Sequence, residues 1–287
     1  MIKKLYQIFR YNICQRHIYG MTAHLRVLPD LILIGAGKSG TTSLFNYLNE
    51  HSCIVKPAYK EIGFFDDNFH LGLNWYRSLF PTKFTKHNIE TKYGNFLTFE
   101  ETPWYIYRPW VIKRIHDILP SVKILALLRN PVDKAYSHYN MDKTLKPARK
   151  TIKSFDEIIE DDIKNISKYE ETHKKITDES FNDLVQNSYL ARGFYAKQLK
   201  PWFKAFNRND ILVVPSEELF TKTQKTLDNI FNFLNLKSEK IVNIDKKNVG
   251  VYDNPMPQDI RKKLLAYFSK YNEDLFDLID ARFDWDK

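Results

Sequence analysis

Short apolar runs alternate along the chain with longer stretches in which apolar residues recur every three or four positions. Four of the runs are continuous and end in turn or polar residues, which predicts buried parallel strands at 31–36, 96–101, 123–128 and 210–215. Ile54 and Val55 predict a short edge strand. The periodic stretches predict helices near 41–50, 72–79, 108–118, 132–143, 155–172, 189–206, 222–234 and 257–281. Strands that alternate with helices are typical of an α/β fold with a parallel sheet.

One stretch interrupts this alternation. Residues 144–187 are the most charged and least apolar part of the chain, and we expect them to form an exposed insertion of helix and loop, or a lid. No linker divides the remaining sequence. We therefore predict a basic leader at 1–29 followed by one domain at 30–287.

The composition of the chain indicates which kinds of ligand it favours. The 287 residues carry a formal net charge of +9, which favours anionic partners. There is no basic–aromatic repeat, so nucleic acid is not expected among them. The two cysteines cannot form a disulfide framework, and no Cys/His cluster predicts a metal.

Location is predicted from the same features. No run of 18 apolar residues predicts a transmembrane helix. With few cysteines and a composition rich in Lys, Asn and Ile, we expect a cytoplasmic protein from a bacterium. Residues 1–20 allow an amphipathic helix, for which docking onto the protein is favoured over weak contact with a membrane surface.

The segment LILIGAGKSGTTSL at 31–44 carries the clearest chemical signal. Its apolar strand leads into a glycine loop and then into a helix that begins near Thr41. Backbone N–H groups and the positive end of the helix dipole then point at one spot, which predicts a phosphate site. The loop lysine is Lys38, not the residue after Gly40 as in G-x-x-x-x-G-K-[ST]. A helix start without a ligand and the loop of a nucleotide kinase are the alternatives.

A second candidate anion site follows the strand KILALL. Arg129 ends this strand, Pro131 suits the first position of a helix, and Ser137 comes eight residues after the arginine. The arginine offers a planar, permanently charged donor for phosphate, and the serine adds a hydroxyl. Alternatively, the arginine satisfies a helix end or a carboxylate.

These two motifs resemble those of the sulfotransferases that use PAPS (3′-phosphoadenosine 5′-phosphosulfate). The segment KEIGFFD at 60–66, followed by GLNWY at 72–76 and Phe80-Pro81, is similar to the glycosaminoglycan-type branch of that family. The resemblance implies a P-loop NTPase-like three-layer fold. It also implies transfer of a sulfuryl group from PAPS to a hydroxyl, with adenosine 3′,5′-bisphosphate (PAP) as product and no metal. The expected acceptor is a carbohydrate, with a small alcohol or a lipid as the runner-up.

The resemblance also implies roles for individual residues. Glu61 is the expected general base, because an acceptor hydroxyl must lose its proton, and a surface ion pair with Lys60 is the alternative. Lys38 is expected to neutralise charge on the leaving oxygen. Donor binding is expected from Gly37, Lys38, Ser39, Gly40, Thr41, Thr42, Ser43, Arg129, Ser137, Arg192, Tyr195, Lys246 and Lys247, and the substrate cleft from Lys60, Glu101 and Thr102. For Lys246 and Lys247 a solvated charge is the alternative. Outside this family, a nucleotide kinase and a non-catalytic polyanion-binding protein are the rival functions.

Overall fold

A five-stranded parallel sheet forms the centre of the computed structural model, which describes residues 19–145, 153–172, 178–243 and 254–286. The strands are β1 (Leu31–Gly35), β2 (Ile54–Val55), β3 (Leu97–Glu101), β4 (Lys123–Leu128) and β5 (Ile211–Pro215). Their order across the sheet is β2-β3-β1-β4-β5, and every neighbouring pair is parallel. All five predicted strands are confirmed to within one residue at each end.

The register brings three of the predicted motifs to one edge of the sheet. Leu33 of β1 lies opposite Glu101 of β3 and Leu125 of β4. The glycine loop follows β1, Glu101 ends β3 and Arg129 follows β4. All three therefore lie at the carboxyl edge, where open α/β sheets bind their ligands.

Helices cover both faces of the sheet. They are α1 (Thr41–Leu48), α2 (Leu73–Arg77), α3 (Lys83–Tyr93), α4 (Pro109–Ile118), α5 (Pro131–Leu145), α6 (Phe155–Thr172), α7 (Asp178–Asn187), α8 (Tyr195–Ala205), α9 (Ser216–Thr221), α10 (Thr223–Phe233) and α11 (Gln258–Ile279). Ile32 and Ile34 face a core that includes residues of α4, α6, α8 and α11. Leu31 and Leu33 face a second core built with α1 and α10. The predicted three-layer α/β fold is confirmed.

Two helices outside the charged segment 144–187 were not predicted. Helix α3 buries none of its residues, so it has no apolar stripe to reveal it. Helix α9 has only six residues and follows β5 directly. The predicted helix at 189–206 begins later, because a 3-10 turn at Ala191–Gly193 precedes α8.

The sequence predicted that the charged segment 144–187 is exposed. In the described part of this segment, however, several residues are buried. Helix α6 buries Ile159, Ile166 and Tyr169 in the larger core, and α7 adds Phe181 and Val185. A single apolar face at helical spacing is enough to anchor each helix, whatever the charge of its outer face. Residues 146–152 and 173–177 lie outside the described part.

None of the helices in the described residues is long and apolar enough to cross a membrane. The predicted leader helix and its alternative, contact with a membrane surface, concern residues 1–18 above all, which lie outside the described ranges.

Candidate active site

The loop between β1 and α1 requires glycine at two positions. Gly40 precedes α1 with φ 91°, and a Cβ there would lie 2.6 Å from the ring of Phe220. At Gly37 a Cβ would lie 2.8 Å from the indole of Trp104. The loop is therefore packed tightly from both sides, and the first turn of α1 presents its N–H groups at the loop.

Both predicted catalytic residues have left-handed backbone conformations. In the described part of the chain the non-glycine residues with positive φ are Lys38 at 70°, Glu61 at 57°, Asn235 and Asp280. Asn and Asp tolerate this region, whereas Lys and Glu enter it at a cost of roughly 1–2 kcal/mol. Such strain is typical of functional sites, because the surrounding fold must enforce it.

Lys60 connects the second motif to the first turn of α1. Its ammonium donates a hydrogen bond of 2.6 Å to Thr42 Oγ1. The same Nζ lies 3.6 Å from Glu61 Oε1 and 3.4 Å from Glu101 Oε2. The structure thus brings together Lys60, Glu61, Glu101 and α1, which the sequence separates by up to 60 residues. The predicted alternative for Glu61, an ion pair with Lys60, is present as well.

A buried carboxylate that the sequence analysis did not single out fixes the segment beside Glu61. Glu100 accepts hydrogen bonds from the hydroxyls of Tyr76, Tyr105 at 2.6 Å and Thr102 at 3.2 Å. Two of these hydroxyls also accept from the backbone of the KEIGFFD segment: Thr102 Oγ1 from Gly63 N at 3.1 Å, and Tyr105 Oη from Phe65 N at 3.0 Å. The network therefore anchors the backbone two and four residues after Glu61.

Thr102 is therefore buried inside this network and is not open to solvent. It is 2 % exposed, and its hydroxyl lies between Glu100 and Gly63. The resemblance that placed Thr102 in the substrate cleft did not reveal this network. Its signal in the sequence is weak, because the partners of Glu100 lie up to 24 residues away along the chain.

Arg129 and Tyr195 lie against the glycine loop. Arg129 donates to the carbonyl oxygen of Lys38 at 3.2 Å, and Tyr195 Oη donates to the carbonyl oxygen of Arg129 at 2.8 Å. Asn130 caps α5 through its side chain, which accepts from Val132 N at 3.0 Å. The two predicted anion motifs are therefore in direct contact through Arg129.

Arg192 is directed toward α5 and α7. Its guanidinium donates to the carbonyls of Val185 at 2.9 Å and Gln186 at 2.8 Å, and it contacts the His138 ring at 3.0 Å. Burial lowers its pKa below the ordinary value. Its predicted role in donor binding, like that of buried Ser137, stays a prediction. Lys246 and Lys247 lie outside the described residues.

Lys134 is a further buried cation that the sequence analysis did not select. It is 4 % exposed, and its ammonium donates to the carbonyl oxygen of Arg192 at 3.0 Å. Burial, together with the nearby Arg192, holds its pKa well below the usual lysine range. It ties α5 to the turn before α8.

Comparison with known proteins decides the family. The model of the sulfotransferase domain matches residues 28–249. The chain belongs to this family. The predicted resemblance to sulfotransferases is thereby confirmed, and the relatives include enzymes of the heparan sulfate type that the sequence analysis favoured.

Three relatives illustrate the range. Membrane-associated sulfotransferase kil1 of Dictyostelium discoideum is 26% identical over 91% of this chain and 67% of its own. Mouse bifunctional heparan sulfate N-deacetylase/N-sulfotransferase 1 is 30% identical over 73% of this chain. Mouse heparan sulfate glucosamine 3-O-sulfotransferase 3B1 is 30% identical over 73%. The chain spans 22% of the first mouse protein's length and 47% of the second's.

A solved structure agrees on the fold. The sulfotransferase from Alicyclobacillus acidocaldarius superposes with a TM-score of 0.65 at 24% identity, covering 91% of this chain and all of that one. This likeness concerns the arrangement of strands and helices.

Proposed function

We propose that the protein transfers a sulfuryl group from PAPS to a hydroxyl of a carbohydrate and releases PAP. The observation that carries the proposal is the meeting of Lys60 and Glu61 with the first turn of α1, where Lys60 Nζ lies 2.6 Å from Thr42 Oγ1. A carboxylate suited to accept a proton is thus next to the helix N-terminus suited to bind an anion.

The residues present fit a donor of this kind. The glycine loop lies against α1, and Arg129 contacts the loop through the carbonyl of Lys38. When bound, PAPS supplies a sulfuryl group joined to its 5′-phosphate through a bridging oxygen. The loop residues Gly37 to Ser43 would bind the 5′ end, and Arg129 and Ser137 would bind the 3′-phosphate. Separate sites for the two ends align the donor for attack.

Glu61 and Lys38 have separate roles in the transfer. Glu61 accepts the proton that the acceptor hydroxyl loses as its oxygen bonds to sulfur. Lys38 neutralises the charge that develops on the bridging oxygen as the bond between that oxygen and sulfur breaks. The side chain of Glu61 is 48% exposed, so an acceptor can reach it from solvent. The carbohydrate is supported by the two heparan sulfate relatives named above.

Calorimetry tests the donor. We expect PAP to bind without Mg²⁺ and ATP to bind more weakly. Tight binding of Mg·ATP with indifference to the 3′-phosphate would instead indicate a kinase. Salt-sensitive binding of any polyanion without turnover would indicate a binding protein.

Turnover of labelled PAPS against a panel of glycans, phenols and lipids tests the acceptor. We expect product with at least one glycan and little with phenols or lipids. Product with a phenol or lipid alone would retain the sulfotransferase and replace the carbohydrate by a small alcohol or lipid.

A further inference from the structure

Lys60 is more buried than an ordinary surface lysine and has more polar neighbours. Its side chain is only 23% exposed, and its ammonium lies between a buried carboxylate, a half-exposed carboxylate and the hydroxyl of Thr42. The second motif therefore delivers a cation, and not only a carboxylate, to the first turn of α1.

The buried carboxylate beside Lys60 belongs to Glu101, which is 1% exposed. Neither of its oxygens makes a hydrogen bond of ordinary geometry. Burial raises its pKa to about 7, while Lys60 and the hydroxyl of Thr41 favour the charged form. A buried carboxylate costs several kcal/mol of desolvation unless a partner compensates, and the nearest cation is Lys60 at 3.4 Å.

No hydrogen bond of ordinary geometry to Glu101 offsets this desolvation penalty. Buried polar groups in proteins are nearly always hydrogen-bonded, and exceptions call for a functional explanation. Glu101 ends β3 at the carboxyl edge of the sheet and faces the residues that open α1. It is therefore aimed at the place where the proposed function puts the phosphosulfate.

We propose that Lys60 is a second cation of the transfer site, which contacts the oxygens of the migrating sulfuryl group, and that Glu101 is the positioning residue that keeps its ammonium there. This inference rests on the proposed function. A lysine has three N–H donors and Thr42 takes one of them, so donors are available for an anionic guest at the same helix end. Lys38 would then serve the leaving oxygen, and Lys60 the group in transit.

Differential protection of lysines tests the contact directly. The full chain is acetylated with trace acetic anhydride, alone and with saturating PAP or PAPS, and each lysine is quantified by mass spectrometry. PAP and PAPS differ only by the sulfuryl group. We expect PAPS to slow the labelling of Lys60 at least about fivefold more than PAP does. Lys86, which pairs with Glu90 on α3, is the control and should not respond.

Two outcomes separate this inference from the proposed function. Equal protection of Lys60 by PAP and PAPS, in a protein that turns over PAPS, overturns the inference and leaves the proposed function standing. If PAP does not bind and PAPS is not turned over, the proposed function fails, and the inference with it.

Variants then test the positioning role. Lys60→Met should lower kcat by about 10²-fold with the Kd for PAP unchanged, and Lys60→Arg should restore part of the loss. Glu101→Gln keeps the shape but not the charge, and should lower kcat about 10-fold while reducing the PAPS-specific protection of Lys60. Lys86→Met is the matched control. Activity of Lys60→Met within twofold of wild type would overturn the proposal, and if that variant does not fold, the labelling of the wild type decides.

Discussion

Glu100 and Glu101 are neighbours at the end of β3, and burial raises the pKa of each to about 7. Their surroundings are nevertheless opposite. Glu100 accepts from three hydroxyls and anchors the backbone near Glu61, whereas Glu101 makes no hydrogen bond of ordinary geometry and faces Lys60 and α1. Successive residues of a strand point to opposite faces, so one strand end supplies both an internal brace and a group directed into the site. Equal burial therefore does not indicate an equal role.

The largest expected effect tests the brace. Glu100→Ala should lower the free energy of unfolding at pH 6 by about 4 kcal/mol, because it leaves a cavity and removes the acceptor of the Tyr76 and Tyr105 hydroxyls. Urea unfolding measures the loss. Glu101→Ala is the matched comparison and should cost about 1 kcal/mol or less, and equal losses would erase the distinction between the two carboxylates.

The pH dependence of stability comes next. In the unfolded chain a glutamate titrates near 4.5, whereas folded Glu100 titrates at about 7. Between these values the folded protein keeps a proton that the unfolded chain has lost. The contribution of Glu100 is therefore fully present below about 4.5 and is lost as pH rises to about 7. A shift of this size corresponds to about 3 kcal/mol.

Glu100→Gln isolates this contribution, because a glutamine stays neutral and can still accept from one tyrosine. We expect the advantage of wild type over the variant in unfolding free energy to shrink by about 2.4 kcal/mol between pH 5 and pH 7.5. An advantage that does not change with pH would mean that Glu100 does not titrate in this range.

On the side of the site, Glu61→Gln should reduce kcat by about 10²-fold, equivalent to about 2.7 kcal/mol in the barrier, because the variant cannot accept the proton. Steady-state turnover of PAPS measures it, with calorimetry of PAP expected to be unchanged. Glu90→Gln on the exposed face of α3 is the control. Undiminished turnover would remove Glu61 from the mechanism.

The smallest expected effect concerns Arg129, which contacts neither Glu100 nor Glu101. Arg129→Ala should weaken the binding of PAP by about 2 kcal/mol through the loss of a charged hydrogen bond, measured by calorimetry. Its unfolding transition should stay close to that of wild type. A loss of fold instead would show that the hydrogen bond from Arg129 to the carbonyl of Lys38 is its main role.

Much of the fold could be predicted because its signals are local. Continuous apolar runs identified the strands, and Arg-Asn-Pro after KILALL identified the start of α5. Helix α3 was missed because a helix without a buried face has no periodic pattern to detect. The buried face of α6 was underestimated because its charges outweigh its few apolar positions in a count of composition.

The site was predicted in part for the same reason. A glycine loop and an arginine at a strand end are recognisable from their order along the chain. The network of Glu100 was not recognisable, because only the folded structure brings Tyr76, Tyr105 and Thr102 within hydrogen-bond distance of it. Likewise, the sequence does not distinguish Lys60 from a surface lysine, because its buried neighbour Glu101 lies 41 positions further along the chain.

The sequence by itself determined the strands, most of the helices, the glycine loop after β1 and the family, since these depend on residue types at short spacings. Only the tertiary structure decided which of two adjacent glutamates braces the fold and which faces the site, and that Lys60 lies against α1. Those facts depend on distances between segments some 20 to 60 residues apart, and on the desolvation that packing imposes, which no local pattern encodes.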